Sequence, residues 1–140
     1  MDLKEEDPPQ RYVNWSNVKK VLHSYIDYNC INTSVVMKID GSLLCVAGDH
    51  NKGKTIAALG ANIFKSYADA QKSDQLKILL IQAEKGYCVL GRISKFLICH
   101  YAVKNDDDQQ DINVALLRSQ LELCIKQLGT LRQVYPNVTM

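Results

Sequence analysis

The chain lacks a long apolar run, an excess of charge of one sign and any paired-cysteine spacing, and each absence removes a class of function. No stretch approaches the ~20 apolar residues that a bilayer span requires, so no direct membrane insertion is expected. Seventeen basic against fifteen acidic residues leave a net charge of +2, too little to recruit a nucleic acid or another polyanion by field alone. The five cysteines, Cys30, Cys45, Cys88, Cys99 and Cys124, are odd in number and show no C-x-x-C spacing. Four sit in apolar surroundings, where a free thiol behaves as a small hydrophobe, and a reducing compartment is the expectation. His23, His50 and His100 are far apart and offer no metal spacing. Asp106, Asp107, Asp108 and Asp111 lack the spaced pattern and glycine of a calcium loop. No metal and no cofactor are therefore expected. The first residues, Met1 to Pro9, are charged and then Pro-rich, unlike a secretory signal.

What is present is a pattern of hairpins and helices. With 140 residues, 46% of them hydrophobic, the chain can bury a real core as one domain. Residues 1–14 read as a flexible N-terminal arm, 15–135 as the domain and 136–140 as a C-terminal tail. Ser16 can cap a helix running to about Tyr28, with Val18, Leu22, Tyr25 and Ile26 on one face and Trp15 as a staple before the cap. The run Thr33–Ile39, then Asp40-Gly41, then Ser42–Ala47 predicts a hairpin whose two central turn residues both take φ > 0. That register puts Ile39 opposite Ser42, Met37 opposite Leu44 and Val35 opposite Val46. Val36, Cys45 and Leu43 then share the other face. Leu76–Ile81 and Tyr87–Leu90 pair across Lys85-Gly86, and Phe96–Val103 makes a fifth strand. Both faces of these strands are apolar, which predicts an α+β domain: a five-stranded antiparallel sheet sandwiched between helices.

The middle helix, about Ile56–Ala70, is apolar or small around much of its circumference. One side can pack on the sheet. The other is either buried in the same core or left for a partner, and a large exposed apolar patch favours the partner. A last helix, about Gln110–Val134, repeats Val114, Leu117, Leu121, Cys124, Leu128 and Leu131 at spacings of three and four. This is a seam for its own sheet or for a partner's helix, and Ile112, Leu116 and Leu123 widen it in favour of docking on the sheet.

One enzyme motif is present. Gly48-Asp49-His50-Asn51-Lys52-Gly53-Lys54-Thr55 fits G-x-x-x-x-G-K-[ST], in which Gly48, Gly53, Lys54 and Thr55 would hold nucleotide phosphates and Mg²⁺. The surroundings argue against it. A phosphate-loop fold is a parallel sheet with long crossovers, whereas these strands are joined by tight turns. No Asp follows Ile78–Ile81 to hold the metal, and Asp49 brings negative charge to the nucleotide's place. Enzyme chemistry is not expected.

The order helix, hairpin, long helix, three-strand meander, helix resembles the roadblock/LC7 family of small dimerising adaptor domains, which have a profilin-like architecture. The residues carrying the likeness are Asp40-Gly41-Ser42-Leu43-Leu44 with Gly48; Ile56-Ala57-Ala58, Ala61-Asn62-Ile63 and Tyr67; Leu76-Lys77; Gly86; Arg92; and Leu97–Ala102. The likeness spans Val18 to Val134 and within the family is to the Ragulator (late endosomal/lysosomal adaptor) type. It implies a non-catalytic scaffold that heterodimerises with a second roadblock-domain protein. The implied interface is Ile56, Leu59, Gly60, Ile63, Phe64 and Tyr67 on the middle helix with Leu76, Ile78 and Leu80 on the strand edge. It further implies a lipid-anchored scaffold subunit and Rag-type small GTPases as partners, at the cytosolic face of the late endosome or lysosome, in amino-acid signalling to TOR complex 1. A dynein-associated light chain or a GTPase-regulating homodimer would use the same architecture.

Overall fold

The computed structural model describes residues 14–70, 77–93, 95–103 and 112–134. The expected N-terminal arm up to residue 13, Leu76, the acidic loop Asp106–Asp111, the Leu131 side chain and the C-terminal tail lie outside the described residues. Helix α1 (Trp15–His23) leads through a short 3-10 turn into strands β1 (Ile31–Lys38) and β2 (Leu43–Gly48). Helix α2 (His50–Ala70), strands β3 (Ile78–Ala83), β4 (Gly86–Ile93) and β5 (Phe96–Val103), and helix α3 (Val114–Val134) follow. The five strands form one antiparallel sheet in the order β2-β1-β5-β4-β3, so β2 and β3 are its edges.

Both sheet faces are buried, as the two-sided apolar strands require. Under α1 and α3 lies a core that includes Val18, Leu22, Val36, Cys45, Val89, Leu117, Leu121, Cys124 and Leu128. Under α2 lies a second, with Val35, Met37, Val46, Ala57, Phe64, Leu90 and Leu97. Alternate residues along β1 thus feed opposite cores. Of the residues expected to widen the α3 stripe, Ile112 packs on the first core. Leu116 and Leu123 instead point outward, 45% and 52% exposed, because a helix docked on a sheet presents only one side to it.

Three local expectations are corrected. Helix α1 is capped by Asn14, whose Oδ1 accepts the Asn17 N–H at 3.1 Å. Ser16 is therefore inside the helix, and Trp15, its first residue, sets its ring edge-to-face on Phe96 at 6.3 Å. The helix stops well before Tyr28 because Asp27, Asn29 and Cys30 all have positive φ (76°, 53° and 64°). In the first hairpin, the Lys38 N–H donates to the Ser42 carbonyl and the Gly41 N–H to the Lys38 carbonyl, each at 2.9 Å. Only Gly41 is left-handed, at φ 94°. The loop therefore has three residues, a turn closed by a glycine bulge, and the Asp40 carboxylate accepts the Ser42 N–H. That bond is the leading cause holding the Asp40 carboxyl below its usual range.

Val35 does face Val46 and Val36 faces Cys45, but a further register shift pairs Met37 with Leu43. Leu43 accordingly joins Met37 on the α2 side, opposite to expectation. In the second hairpin Ala83 faces Gly86, so the loop is Glu84-Lys85 and not Lys85-Gly86.

Two polar features fix the helices on the α1/α3 face. The Asn29 side chain both donates to the Asn113 carbonyl and accepts the Asn113 N–H, each at 2.8 Å. Asn113 in turn caps α3, its Oδ1 accepting the Leu116 N–H at 2.9 Å. The second feature is His100, fully buried in the middle of the sheet. Its Nδ1 lies 2.8 Å from Ser34 Oγ, and its ring stacks at a tilt on Tyr25 with centroids 5.0 Å apart. Tyr25 donates to Gln127 Oε1 on α3 at 2.5 Å, and burial pushes its hydroxyl up to about 12. Burial pushes the imidazole down to about 4, partly opposed by the Gln120 backbone carbonyl, so His100 is neutral in the fold.

Both features can be tested by unfolding. Between the unfolded value near 6.5 and about 4, the unfolded chain binds a proton that folded His100 refuses, so stability falls as pH drops. Urea unfolding at pH 8 and pH 5 is expected to differ by about 2 kcal/mol from this group alone, and His100→Gln should remove that part of the slope. Asn29→Ala, which loses both bonds to Asn113 and keeps the strained φ, should cost about 1–2 kcal/mol in the same assay. Asn29→Gly, free of the backbone strain, should cost less.

Candidate functional site

Helix α2 starts where the phosphate-loop match lies, and its start is already occupied. Gly48 ends β2 at φ 90°. From His50 the chain is helical, so the helix begins six residues before the expected Ile56. The Asp49 carboxylate accepts the Lys52 N–H at 3.1 Å and its carbonyl accepts the Gly53 N–H at 2.9 Å. The carboxylate thereby serves one of the orphan amides and complements the helix dipole. Gly53 is buried against the sheet, where a Cβ would stand 3.0 Å from Val46 Cγ1. Lys54 and Thr55 are exposed. The Lys52 ammonium sits 5.6 Å from the Tyr101 ring centroid, a cation–π distance. Gly48, Gly53, Lys54 and Thr55 are thus parts of a strand end and a capped first turn. A phosphate placed there would meet the Asp49 charge at the amides it needs.

Further along, α2 carries two stripes at i, i+4, i+8, and the structure separates them. Ile56, Gly60 and Phe64 face the sheet: Ile56 is 7% exposed and Phe64 3%. A Cβ at Gly60 would stand 2.9 Å from Leu90 Cδ2, so glycine lets the helix approach β4. These three belong to the chain's own core, which corrects their expected place in an interface. Leu59, Ile63 and Tyr67 form the second stripe, on the open side. Leu59 is 58% exposed and Tyr67 53%, with Ile63 half-buried. Ala58, Asn62 and Ser66 are exposed beside them, and Lys65 is the only charged residue between Thr55 and Tyr67. The lack of charge at these neighbouring positions is readable from the sequence.

The edge strand β3 is the least covered part of the sheet. Helix α2 lies over β1 and β2 and reaches β5, while α3 lies over β4 and β5. The side chains of β3 are left half-buried or exposed. Leu79 and Ile81 pack toward the α2 side and extend the apolar surface there, a pair the sequence pattern did not single out. Ile78 packs under α3. Leu80, 44% exposed, lines an open cleft of about 790 Å³ between β3 and α3 with Lys77, Val89, Arg118 and Glu122. Of the expected interface set, then, Leu59, Ile63 and Tyr67 come together on one open face. Leu80 stands at the edge on the other sheet face.

Among the described residues no group of three or more His, Cys, Asp or Glu could hold a metal ion. No described helix is long and apolar enough to cross a membrane.

No family model matches the chain. Solved structures do. MglB of Myxococcus xanthus superposes with a TM-score of 0.72 at 11% identity, over 89% of this chain and 93% of that one. The gliding protein MglB of Thermus thermophilus gives 0.71 at 10%, over 91% and 98%. A roadblock/LC7 domain of Streptomyces avermitilis gives 0.64 at 14%, over 84% and 95%. At such identities the likeness is one of fold. The chain therefore has the roadblock/LC7 fold: a five-stranded antiparallel sheet with α1 and α3 on one face and α2 on the other.

Proposed function

We propose that this protein is a non-catalytic adaptor that dimerises through the open face of α2 and the β3 edge and engages small GTPases in that form. The observation carrying the reading is the uncharged Leu59–Ile63–Tyr67 stripe, with Leu59 and Tyr67 exposed and Ile63 half-buried, on the same side as the half-covered Leu79 and Ile81 of an edge strand. A partner with the same fold would cover the stripe with its own α2. Its β3 would take up the hydrogen-bonding groups that an edge strand leaves open. One of the structures with this fold is an MglB in a tetrameric arrangement.

The finer reading rests on the resemblance to the Ragulator type. The partner is then a second roadblock-domain protein, and the pair is held on a lipid-anchored subunit at the late endosomal or lysosomal surface. There it recruits Rag-type GTPases for signalling to TOR complex 1. The resemblance to the roadblock/LC7 family leaves a second reading, a GTPase-regulating homodimer. Nucleotide binding at Lys54 is disfavoured by the Asp49 cap.

Leu59→Asp and Tyr67→Asp should each weaken dimerisation by about 30-fold or more while leaving the circular dichroism native, since both side chains are solvent-exposed in the monomer. Sedimentation reads the mass, and an unchanged dimer in both variants removes the interface. Gly60→Glu is a poor test, because it would bury a carboxylate between α2 and the sheet beside Leu90 and so destabilise the monomer itself. Affinity purification of the tagged chain from its native cytoplasm separates the readings. A second roadblock protein with Rag-type GTPases and a lipid-anchored subunit supports the Ragulator type. A homodimer with one small GTPase supports the second reading, and dynein chains overturn both. Calorimetry with ATP or GTP and Mg²⁺ is expected to give no binding heat. Saturable heat lost in Lys54→Ala would restore the phosphate-loop reading.

A further inference from the structure

The sheet sorts the cysteines of this chain into two compartments. Cys45 and Cys124 are buried in the α1/α3 core, with Cys30 packed against it, whereas Cys88 and Cys99 lie in the α2-side core. Cys88 on β4 faces Tyr101 and Cys99 on β5 faces Leu90, so the two thiols are diagonal neighbours on one sheet face. Their sulfurs are 2.9 Å apart, and a disulfide needs about 2.05 Å. Closing the bond thus asks for a movement of about 0.9 Å along the line between them. Neither can reach the other three thiols without the sheet opening.

We propose that Cys88 and Cys99 are a reversible disulfide site that staples β4 to β5 beneath α2, with a peroxide as the oxidant. The two thiols differ in access: Cys88 is 9% exposed and Cys99 is fully buried. Burial, and then the neighbouring Cys88, holds the Cys99 thiol protonated well above its ordinary range. Cys88 is accordingly the sulfur that meets the oxidant. Its thiolate attacks one peroxide oxygen, the O–O bond breaks, and hydroxide leaves to be protonated to water. The resulting sulfenic acid is then attacked by the Cys99 sulfur. The new S–S bond forms as the S–O bond breaks, and the second oxygen departs as water with the Cys99 proton. Two electrons and two protons pass from the thiols to the peroxide, giving two waters. A dithiol reverses the step by exchange and is itself oxidised to a disulfide. Because both sulfurs are buried, reaction waits on local opening and is slow beside that of an exposed thiolate. The inference does not depend on dimerisation.

The test uses the full-length protein, oxidised with hydrogen peroxide in the absence of denaturant, then alkylated and digested with trypsin without reductant. Cleavage after Lys85, Arg92, Lys95 and Lys104 places the two cysteines on separate peptides, 86–92 and 96–104. The expected product is these two peptides linked, lighter than their sum by the two hydrogens lost and released by dithiothreitol. In Cys99→Ser the link is absent and Cys88 carries bound oxygen instead. Both thiols fully alkylated after peroxide treatment of natively folded protein would overturn the proposal. So would Cys88 linked to Cys30, Cys45 or Cys124, or a Cys88–Cys99 link that forms only in urea.

Discussion

A sheet with apolar side chains on both faces is stable in water only between two covering layers, and the rest of this molecule answers to that constraint. Among the described residues, two helices cover one face and a single helix covers the other. The α1/α3 side closes well: Leu117, Leu121, Cys124 and Leu128 are wholly buried, and the Asn29–Asn113 pair ties the start of α3 to the turn after α1. The α2 side does not close. One helix about 10 Å wide cannot span five strands set about 4.7–4.9 Å apart. Seated over β1 and β2, α2 leaves β3 half-bare. The exposed stripe on α2 and the open edge of β3 are two sides of one shortage of cover.

The same seating explains the start of α2. To lay Gly53, Ile56, Ala57 and Gly60 on the sheet, the helix must begin immediately after β2, within the stretch that matches a phosphate loop. Asp49 makes that start possible by capping it. The carboxylate that stabilises the helix also places negative charge where a phosphate would bind. The Lys52 amide at this start serves the helix cap.

The buried His100 network lies on the face that closes. Ser34, His100 and Tyr25 lie beneath α3, where neutral imidazole is enforced by burial. The α2-side core holds a close contact between two sulfurs, Cys88 and Cys99. The two faces of one sheet therefore respond to different solution variables, one to protons and the other to oxidants.

Strand content, the five-strand antiparallel sheet, the two-sided core and the seam of α3 could all be read from residue order, because period-2 and period-3.6 patterns are local and each strand had apolar residues on both sides. Turn detail was less legible. Asp40-Gly41 serves a two-residue or a three-residue loop equally well, and the choice came from a bulge that shifted Met37 onto Leu43. Helix starts were misplaced because Asn14 and Asp49 were competing caps whose side-chain bonds no pattern ranks. The open face of α2 was half-legible for a deeper reason. Ile56–Gly60–Phe64 and Leu59–Ile63–Tyr67 are equivalent stripes in sequence, both apolar or aromatic at the same spacing. The residues by themselves determined that α2 carries apolar or small side chains on two sides. Only the tertiary structure decided which stripe meets the chain's own sheet: the one whose Gly60 allows β4 to approach, leaving Leu59 and Tyr67 facing water.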